Sequence, residues 1–429
     1  MKNIIRFAIL LLSFSAFSQS FVEQFKSVKL NESRDIRVKL PASFKSNPEK
    51  KYPLILVLDS EYLYPVFEGN LHFGNYWDDM PEAILVGINQ NKNNQREADC
   101  EFDPRNGLPA GKGGAFFEFI GTELIPYLEK KYQVGTFKTI AGIDSSAALL
   151  NAFLYKEIPL FNAYISLSPD LQLRMEERIP KRLSELQTPI YYYSATSDGD
   201  LKKFQKQIKT LDQNMQPVKN DFVNYKFDDF KNANHYTIAM LGIPQALNQI
   251  FQVYQPISTK EYQEKIVILP QDYVKYLTDK YDAIEKNLGI KMNVRLRDFK
   301  AIETAINKNE RFEEYEQLAQ ISGQQYEKTM MYDYHMAIYW EKRNEIKKAI
   351  KNYENAFVKE EIGNLTKAMM MAKAEELKQK MPTKKDKLKG GKGKEEKTEE
   401  VIEEVPADAP VETPSETPTE TPAEEKKTE

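Results

Sequence analysis

The sequence predicts an α/β domain with a mostly parallel central sheet, followed by a small all-α domain and a disordered tail. Short, uninterrupted apolar runs alternate with helical periodicity over residues 20–255, a pattern typical of strands buried on both faces of a parallel sheet. From about residue 258 only helical periodicity continues, and few apolar residues follow residue 381. We therefore expect a signal segment at 1–18, an α/β domain at 19–257, a helical domain at 258–380 and a tail at 381–429.

The first 18 residues have the features of an export signal. Lys2 and Arg6 precede an apolar run at 7–12, and Ala16 and Ser18 provide the small residues that a signal peptidase recognises. The run is too short to span a bilayer, which takes about 20 residues. We expect a soluble, exported protein, periplasmic or extracellular, without a membrane span; an N-terminal membrane anchor is the alternative.

Five apolar runs predict the strands of the parallel sheet. They lie at residues 52–58, 83–88, 139–142, 163–167 and 189–193. Helical periodicity at 116–132, 147–155 and 201–215 fills the gaps between them, and strand–helix alternation is typical of α/β domains. Before these runs, apolar and polar residues alternate around Ile36, Val38 and Leu40. This alternation predicts an antiparallel strand at the sheet edge.

The helical domain contains a segment, residues 334–356, that resembles a tetratricopeptide repeat. Small Ala337, Ala349 and Ala356 are interspersed with aromatic residues, as in helix pairs that pack closely. One or two such repeats cannot bury a continuous apolar face by themselves. We expect residues 258–380 to pack on the α/β domain or to bind a protein partner; the alternative is an ordinary helical hairpin.

The tail is dominated by charge. Residues 384–397 are rich in lysine and glycine, and residues 399–429 contain eleven acidic residues and two lysines. Such a composition cannot offset the entropy cost of ordering. A spacer or electrostatic docking arm and a simple solubilising tail are both compatible with it.

Composition excludes several classes of site. The net charge of −4 provides no positive field for nucleic acid, so we expect no nucleic-acid partner. The single cysteine, Cys100, excludes an intrachain disulfide and multi-cysteine metal sites, and we expect neither a cofactor nor a metal. Acid–base chemistry near neutral pH is limited to the three histidines, His72, His235 and His335.

A strand-to-helix turn after residue 141 is the candidate catalytic elbow. A nucleophile on such a turn needs small residues two positions before and after it, because the turn is strained and crowded. Gly142 and Ser146 flank Asp144 in this way. Ser145 and Ser146 lack comparable neighbours. The spacing therefore places Asp144, and not a serine, at the tip.

His235 is the candidate base, because it follows a predicted strand at 222–227 and precedes a predicted final helix of the domain near 244–251. The acid that orients it should follow the strand at 189–193, where Asp198 and Asp200 are equal candidates; the Asp-Gly pair there also favours a simple turn. His335 lies in the helical repeat and is assigned to packing. His72 comes too early in the chain for a triad.

Six stretches together resemble the putative esterase family of the α/β hydrolases, which includes enterobactin esterases and esterase D. The resemblance spans residues 50–255, about half of the chain, and the stretches occur in the family's order, at residues 52–59, 82–89, 113–120, 123–128, 166–169 and 235–236. The resemblance implies an α/β-hydrolase fold and hydrolysis of a small-molecule ester. It also implies oxyanion donors at the backbone N–H groups of Ser60 and Ser145, and a base at His235.

The chain departs from this family at the elbow. The family sequence Gly-His-Ser-x-Gly-Gly corresponds to Gly-Ile-Asp-Ser-Ser-Ala at 142–147, so Asp144 replaces the nucleophilic serine. One hypothesis is a hydrolase in which Asp144 attacks an alkyl carbon and His235 then activates water. The other is a catalytically inactive pseudoenzyme that binds a protein partner through its helical repeats and tail.

The loop at 89–114 is expected to border the pocket. Its charged residues are interpreted as ordinary surface charges, and Cys100 as non-catalytic. The charged residues are Arg96, Glu97, Asp99, Asp103 and Arg105.

Overall fold

The computed structural model of the protein describes residues 20–381. The expected export signal and all but the first residue of the predicted tail lie outside these residues. Among the described residues, 20–377 form one compact unit, and a second unit begins at Lys378.

An eight-stranded sheet forms the centre of the compact unit. Its strands, in chain order, are β1 (Ser20–Ser27), β2 (Glu32–Lys39), β3 (Tyr52–Val57), β4 (Ile84–Ile88), β7 (Val134–Ile143), β8 (Ala163–Leu167), β9 (Ile190–Gly199) and β10 (Val223–Asn234). The short strands β5 (Phe102–Asp103) and β6 (Leu108–Pro109) form a separate ribbon.

Helices connect the strands of the sheet. They are α1 (Ser60–Tyr76), α2 (Gln95–Asp99), α3 (Gly111–Glu118), α4 (Ile125–Lys131), α5 (Ser145–Asn151), α6 (Met175–Glu185), α7 (Lys202–Met215) and α8 (Ile238–Phe251). Short 3₁₀ segments at Lys92–Asn94, Ala152–Tyr155, His235–Thr237 and Gln252–Tyr254 and a π-helical turn at Phe119–Leu124 complete this part of the chain.

The strand order is β1-β2-β4-β3-β7-β8-β9-β10. The pairs β1–β2 and β2–β4 are antiparallel, and the other pairs are parallel. The mostly parallel sheet with an antiparallel edge, predicted from apolar runs and alternation, is therefore confirmed. Because the parallel strands end at the same edge, the loops after β3, β7, β8, β9 and β10 can meet there.

Each central strand buries side chains on both faces of the sheet. Within β3, Ile55 and Val57 join one apolar cluster, whereas Leu54 and Leu56 join the other. This two-residue alternation explains why an uninterrupted apolar run marks a strand here. Helices α1 and α8 cover the first face, and α3 to α7 cover the second.

The rest of the compact unit is helical, as predicted. The helices are α9 (Thr259–Glu261), α10 (Tyr273–Leu288), α11 (Leu296–Lys308), α12 (Glu314–Gln325), α13 (Met331–Lys342), α14 (Ile346–Phe357) and α15 (Lys367–Lys380), with a π-helical turn at Tyr262–Ile266. The first apolar cluster continues from the sheet through α10, α11, α12 and α13. Assignment of these helices to the tetratricopeptide class stays a prediction.

Candidate active site

The turn between β7 and α5 holds Asp144 in a conformation that few non-glycine residues adopt. Its φ is 60° and its ψ is −122°, and Ser145 directly after it begins α5. A strained backbone of this kind persists only where surrounding structure enforces it, and it is common at catalytic groups. The side chain of Asp144 is 28% exposed, so the turn presents a carboxylate at the sheet edge.

Close packing around Gly142 enforces this turn. A Cβ atom at Gly142 would lie 2.6 Å from Ser146 Oγ, so a larger residue cannot fit there without displacing that hydroxyl. Ser146 is fully buried, accepts the Ile143 N–H at 3.0 Å and donates to Asp59 Oδ2 at 2.5 Å. Gly142 and Ser146, the small residues expected on either side of Asp144, therefore pack closely enough to form the elbow.

His235 is held by a carboxylate, and that carboxylate belongs to Asp200. The distance from His235 Nδ1 to Asp200 Oδ1 is 2.8 Å. Asp200 also accepts hydrogen bonds from Thr196 Oγ1 at 2.6 Å and from the backbone N–H of Leu201 at 2.8 Å. Ser168 Oγ donates to its carboxylate, at 2.9 Å from Oδ1 and 2.8 Å from Oδ2. The pair thus has the base-plus-orienting-acid arrangement of a hydrolase triad.

This network shifts the pKa of both partners. The hydrogen bond that His235 donates to Asp200, reinforced by the charge of that carboxylate, raises the pKa of His235 above its ordinary value of 6.5, although partial burial opposes the shift. Burial acts to raise the pKa of Asp200, but the hydrogen bonds from His235, Thr196 and Ser168 outweigh it and lower that pKa overall. Asp200 is therefore ionised whenever His235 is neutral.

A capping motif fixes the segment that carries His235. The Asn234 side chain accepts the N–H groups of Tyr236 and Thr237 at 3.0 Å each, and Thr237 Oγ1 accepts the Asn234 N–H at 2.9 Å. This reciprocal pair is a capping box. It ends β10 at Asn234 and turns the next residue, His235, toward Asp200.

Arg96 from the 89–114 loop reaches the elbow. Its Nε and Nη2 atoms donate to the buried carboxylate of Asp59 at 2.6 Å and 3.2 Å, and Nη2 also donates to the Ile143 carbonyl at 3.1 Å. Its Nη1 atom lies 3.7 Å from Asp144 Oδ2. The interpretation of Arg96 as an ordinary surface charge was wrong. Glu97 and the exposed Arg105 take no part in these contacts. Asp99 is buried and pairs with buried Arg34 at 2.6 Å, so its interpretation as a surface charge was also wrong.

Opposing influences set the ionisation of Asp144. Burial raises its pKa above the ordinary value of 3.8, and the charges of Arg96 and His235 act in the opposite direction. Neighbouring Asp170 and Asp59 add to the upward shift. The result is a carboxylate that is more basic than a surface aspartate and is flanked by two cationic side chains when His235 is protonated.

Ser60 and Ser145, assigned as oxyanion donors by resemblance, each begin a helix. Ser60 opens α1 three residues after the last residue of β3, and Ser145 opens α5 two residues after the last residue of β7. First-turn backbone N–H groups have no intrahelical acceptor. Adjacent β3 and β7 thus deliver both donors to the same sheet edge, where a negatively charged oxygen could accept them.

The remaining candidates lie elsewhere. Asp198 accepts the backbone N–H groups of Asn232 and Ala233 at 2.9 Å and 3.3 Å, so the structure brings Asp200 rather than Asp198 to His235. His335 is fully buried between Ser322 and Glu303. Burial raises the pKa of the Cys100 thiol, which opposes a nucleophilic role.

The part of the chain that the structure describes contains neither a metal-binding cluster nor a membrane-spanning helix. Between residues 20 and 381, no cluster of histidine, cysteine or acidic side chains has the arrangement of a metal site. Within the same range, no helix combines the length and apolar character needed to cross a membrane.

Comparison with known proteins agrees with the geometry. A family model described as "Putative esterase" matches residues 27–239. An uncharacterised protein from Capnocytophaga ochracea has 30% sequence identity and a TM-score of 0.77, over 84% of this chain and all of that chain. This alignment extends beyond the residues matched by the family model and so includes helices after β10. No curated protein matches the chain.

A more distant structure shows the same fold. An IroE-like serine hydrolase from Shewanella oneidensis has 16% identity and a TM-score of 0.54, over 71% of this chain and 99% of that chain. With the family match, the sheet order and the elbow between β7 and α5, this similarity establishes an α/β-hydrolase fold. The chain belongs to the putative esterase family.

Proposed function

We propose that the protein hydrolyses an ester-type bond of a small molecule, with Asp144 as a carboxylate nucleophile and His235 as the base oriented by Asp200. The observation that carries the proposal is the strained conformation of Asp144 at the elbow, at φ 60° and ψ −122°. A backbone conformation of this kind costs about 1–3 kcal/mol. The fold nevertheless holds it near a His235–Asp200 pair whose atoms lie 2.8 Å apart.

The first step uses the carboxylate directly. An oxygen of Asp144 attacks the alkyl carbon of the substrate ester, the alkyl carbon–oxygen bond breaks, and the substrate carboxylate leaves. The alkyl group is then esterified to Asp144. No proton is transferred, so His235 is not needed until the second step. Attack on the acyl carbon would instead give a reactive anhydride.

The second step regenerates Asp144. His235 Nε2 takes a proton from water, and the hydroxide adds to the carbonyl carbon of the Asp144 ester. The backbone N–H groups of Ser60 and Ser145 bind the developing oxyanion. Collapse expels the alkoxide, which takes the proton from His235, and Asp144 releases its own proton to solvent. One oxygen of Asp144 then derives from water.

Turnover in ¹⁸O-labelled water tests this path. We expect the tryptic peptide that contains Asp144 to gain 2 Da, and we expect His235→Gln to accumulate the alkyl ester on Asp144. The experiment uses alkyl esters with good carboxylate leaving groups as substrates. Short-chain acyl p-nitrophenyl esters test the alternative, attack on the acyl carbon. Turnover that survives Asp144→Ala would refute the assignment and direct attention to Ser145 or Ser146.

The second candidate is an inactive esterase-like protein that binds a partner through residues 258–380. The ion pair between Arg96 and Asp144 favours it, because a neutralised carboxylate can simply stabilise the turn. An inert parent that gains p-nitrophenyl ester hydrolysis on Asp144→Ser would support this candidate. The partner surface is best mapped with single exposed substitutions, since the helices share an apolar core with the sheet.

We also propose export, on the basis of the basic start, the apolar run at 7–12 and the small residues at 16 and 18. Expression of the full chain in a bacterium with a periplasm, followed by fractionation and N-terminal sequencing, tests it. We expect a mature chain that begins at Gln19. An uncleaved chain in the membrane fraction would instead support the anchor.

A further inference from the structure

Hydrogen bonds from Nε and Nη2 fix the Arg96 guanidinium and direct its remaining nitrogen, Nη1, at the elbow. Asp59, which is fully buried, accepts Nε and Nη2. The Ile143 carbonyl, one residue before the elbow tip, accepts Nη2 at 3.1 Å. With these atoms bonded, Nη1 faces Asp144 Oδ2 at 3.7 Å. A planar guanidinium held in this way has little freedom to turn away.

We propose that Arg96 is a positioning residue for Asp144: it attracts Oδ2 and leaves Oδ1 as the oxygen that attacks the substrate. This inference rests on the proposed function, since it assigns roles to the two oxygens of the proposed nucleophile. Once the first step has formed the Asp144 ester on Oδ1, Oδ2 is its carbonyl oxygen, and hydroxide addition in the second step turns Oδ2 into the oxyanion. The guanidinium then adds to the stabilisation of the oxyanion by the backbone N–H groups.

Charged groups on four loops act on Asp144. Asp170, after β8, pairs with Lys203 at 2.7 Å. Asp59 is bonded to Arg96 and to the Ser146 hydroxyl. His235 contributes positive charge only when protonated. Arg96 is therefore the permanent cation that faces Asp144 from these loops, and its loss should favour the protonated, non-nucleophilic carboxyl group.

An epoxide that alkylates carboxylates measures this effect without knowledge of the natural substrate. With an aryl glycidyl ether, Asp144 Oδ1 forms a bond to the terminal epoxide carbon, the ring carbon–oxygen bond breaks, and the ring oxygen takes a proton from water. Mass spectrometry of the Asp144 peptide gives the labelling rate at each pH. All variants are made in a full chain carrying His235→Gln, so that the ester is retained.

We expect Arg96→Gln to raise the pH midpoint of labelling by about one unit or more, because an opposite charge near a carboxylate lowers its pKa by about 1–3 units. The plateau rate should also fall about tenfold or more as the oxygen loses its orientation. Arg96→Lys should give an intermediate midpoint, because it retains the charge without the planar fork. Arg105→Gln, on the same loop and exposed, is the matched control and should leave both values unchanged.

Removing Arg96 alone leaves Asp59 buried and unpaired, which can unfold the chain. The double variant Asp59→Asn with Arg96→Gln avoids this. It should show a smaller rise in midpoint, because loss of Asp59 removes a charge that raises the pKa of Asp144, and the same fall in plateau rate. A folded Arg96→Gln or double variant with the parental midpoint and plateau rate would overturn the inference. Labelling that depends on Arg96 without ¹⁸O incorporation during ester turnover would overturn the proposed function and leave standing only that Arg96 orients Asp144. Incorporation of ¹⁸O during ester turnover, together with labelling that does not depend on Arg96, would overturn only the inference.

Discussion

At the scale of single residues, the ionisation of His235 determines when the site can activate water. The hydrogen bond that His235 donates to Asp200 raises the pKa of His235 above 6.5. The protonated form cannot accept a proton from water, so ester hydrolysis should increase with pH, with a midpoint above 6.5. The interaction should also contribute stability that is fully present below pH 6.5 and is lost as the pH rises through the higher folded-state pKa.

Asp200→Asn should move this midpoint downward, because the neutral amide no longer favours the imidazolium form. The plateau rate should fall about 100-fold or more, because the imidazole loses its orienting acceptor. A pH series of hydrolysis rates measures both effects. Asp198→Asn is the comparison, since Asp198 contacts backbone N–H groups instead of His235. A midpoint that responds to Asp198→Asn but not to Asp200→Asn would reverse the assignment of the acid.

At the scale of elements, the β7–α5 turn stores backbone strain at Asp144. Alanine and glycine substitutions separate the strain from the charge, because both remove the carboxylate but only glycine adopts φ 60° and ψ −122° easily. We expect Asp144→Gly to be more stable to urea unfolding than Asp144→Ala by about 1 kcal/mol, after allowance for the greater freedom of glycine in the unfolded chain. Equal stabilities, or a more stable alanine variant, would show that the turn is not strained.

The elements were predictable from sequence because each central strand is buried on both faces and so has an uninterrupted apolar run. The contacts within the site were harder to predict from the sequence. Asp198 and Asp200 are two residues apart at the end of β9, and only the path of the following loops shows which one meets His235. Arg96 lies 48 positions before Asp144, and its direction depends on buried Asp59. Its position beside Cys100 and Asp99 in a charged loop provided no signal of this contact.

At the scale of the whole molecule, the helices after β10 complete the core of the sheet. Phe137 of β7 and Phe251 of α8 lie in the same apolar cluster as Leu277 and Ile284 of α10. At the end of α10, Gly289 packs against Thr136, where a Cβ atom would lie 2.4 Å from its hydroxyl oxygen. The helical region therefore covers apolar surface that the α/β part would otherwise expose to water.

Polar contacts reinforce the same connection. Arg295, just before α11, is buried and donates to the Asp78 carboxylate that follows α1. Its guanidinium also lies 4.4 Å from the centre of the Tyr254 ring, close enough for a cation–π interaction. Asp298 Oδ1 accepts the Ile257 N–H at 2.9 Å, directly at the boundary predicted from sequence. These contacts argue that the segments on either side of residue 257 stabilise each other.

A chain that ends at residue 257 should therefore fail to fold as an independent domain. We expect it to lack a cooperative unfolding transition and to bind a hydrophobic dye, because loss of the helices exposes the first apolar cluster on the sheet. A chain spanning residues 20–381 is the control and should unfold cooperatively. Arg295→Ala in the full chain provides a milder test: we expect it to lower stability by about 1–2 kcal/mol, because it removes a buried side chain that packs on Tyr254, whereas half-exposed Asp78 can be solvated by water. Cooperative unfolding of the 257-residue chain at the parental temperature would show that the α/β part is stable alone. Deletion of residues 258–380 would then test partner binding without unfolding the rest of the chain.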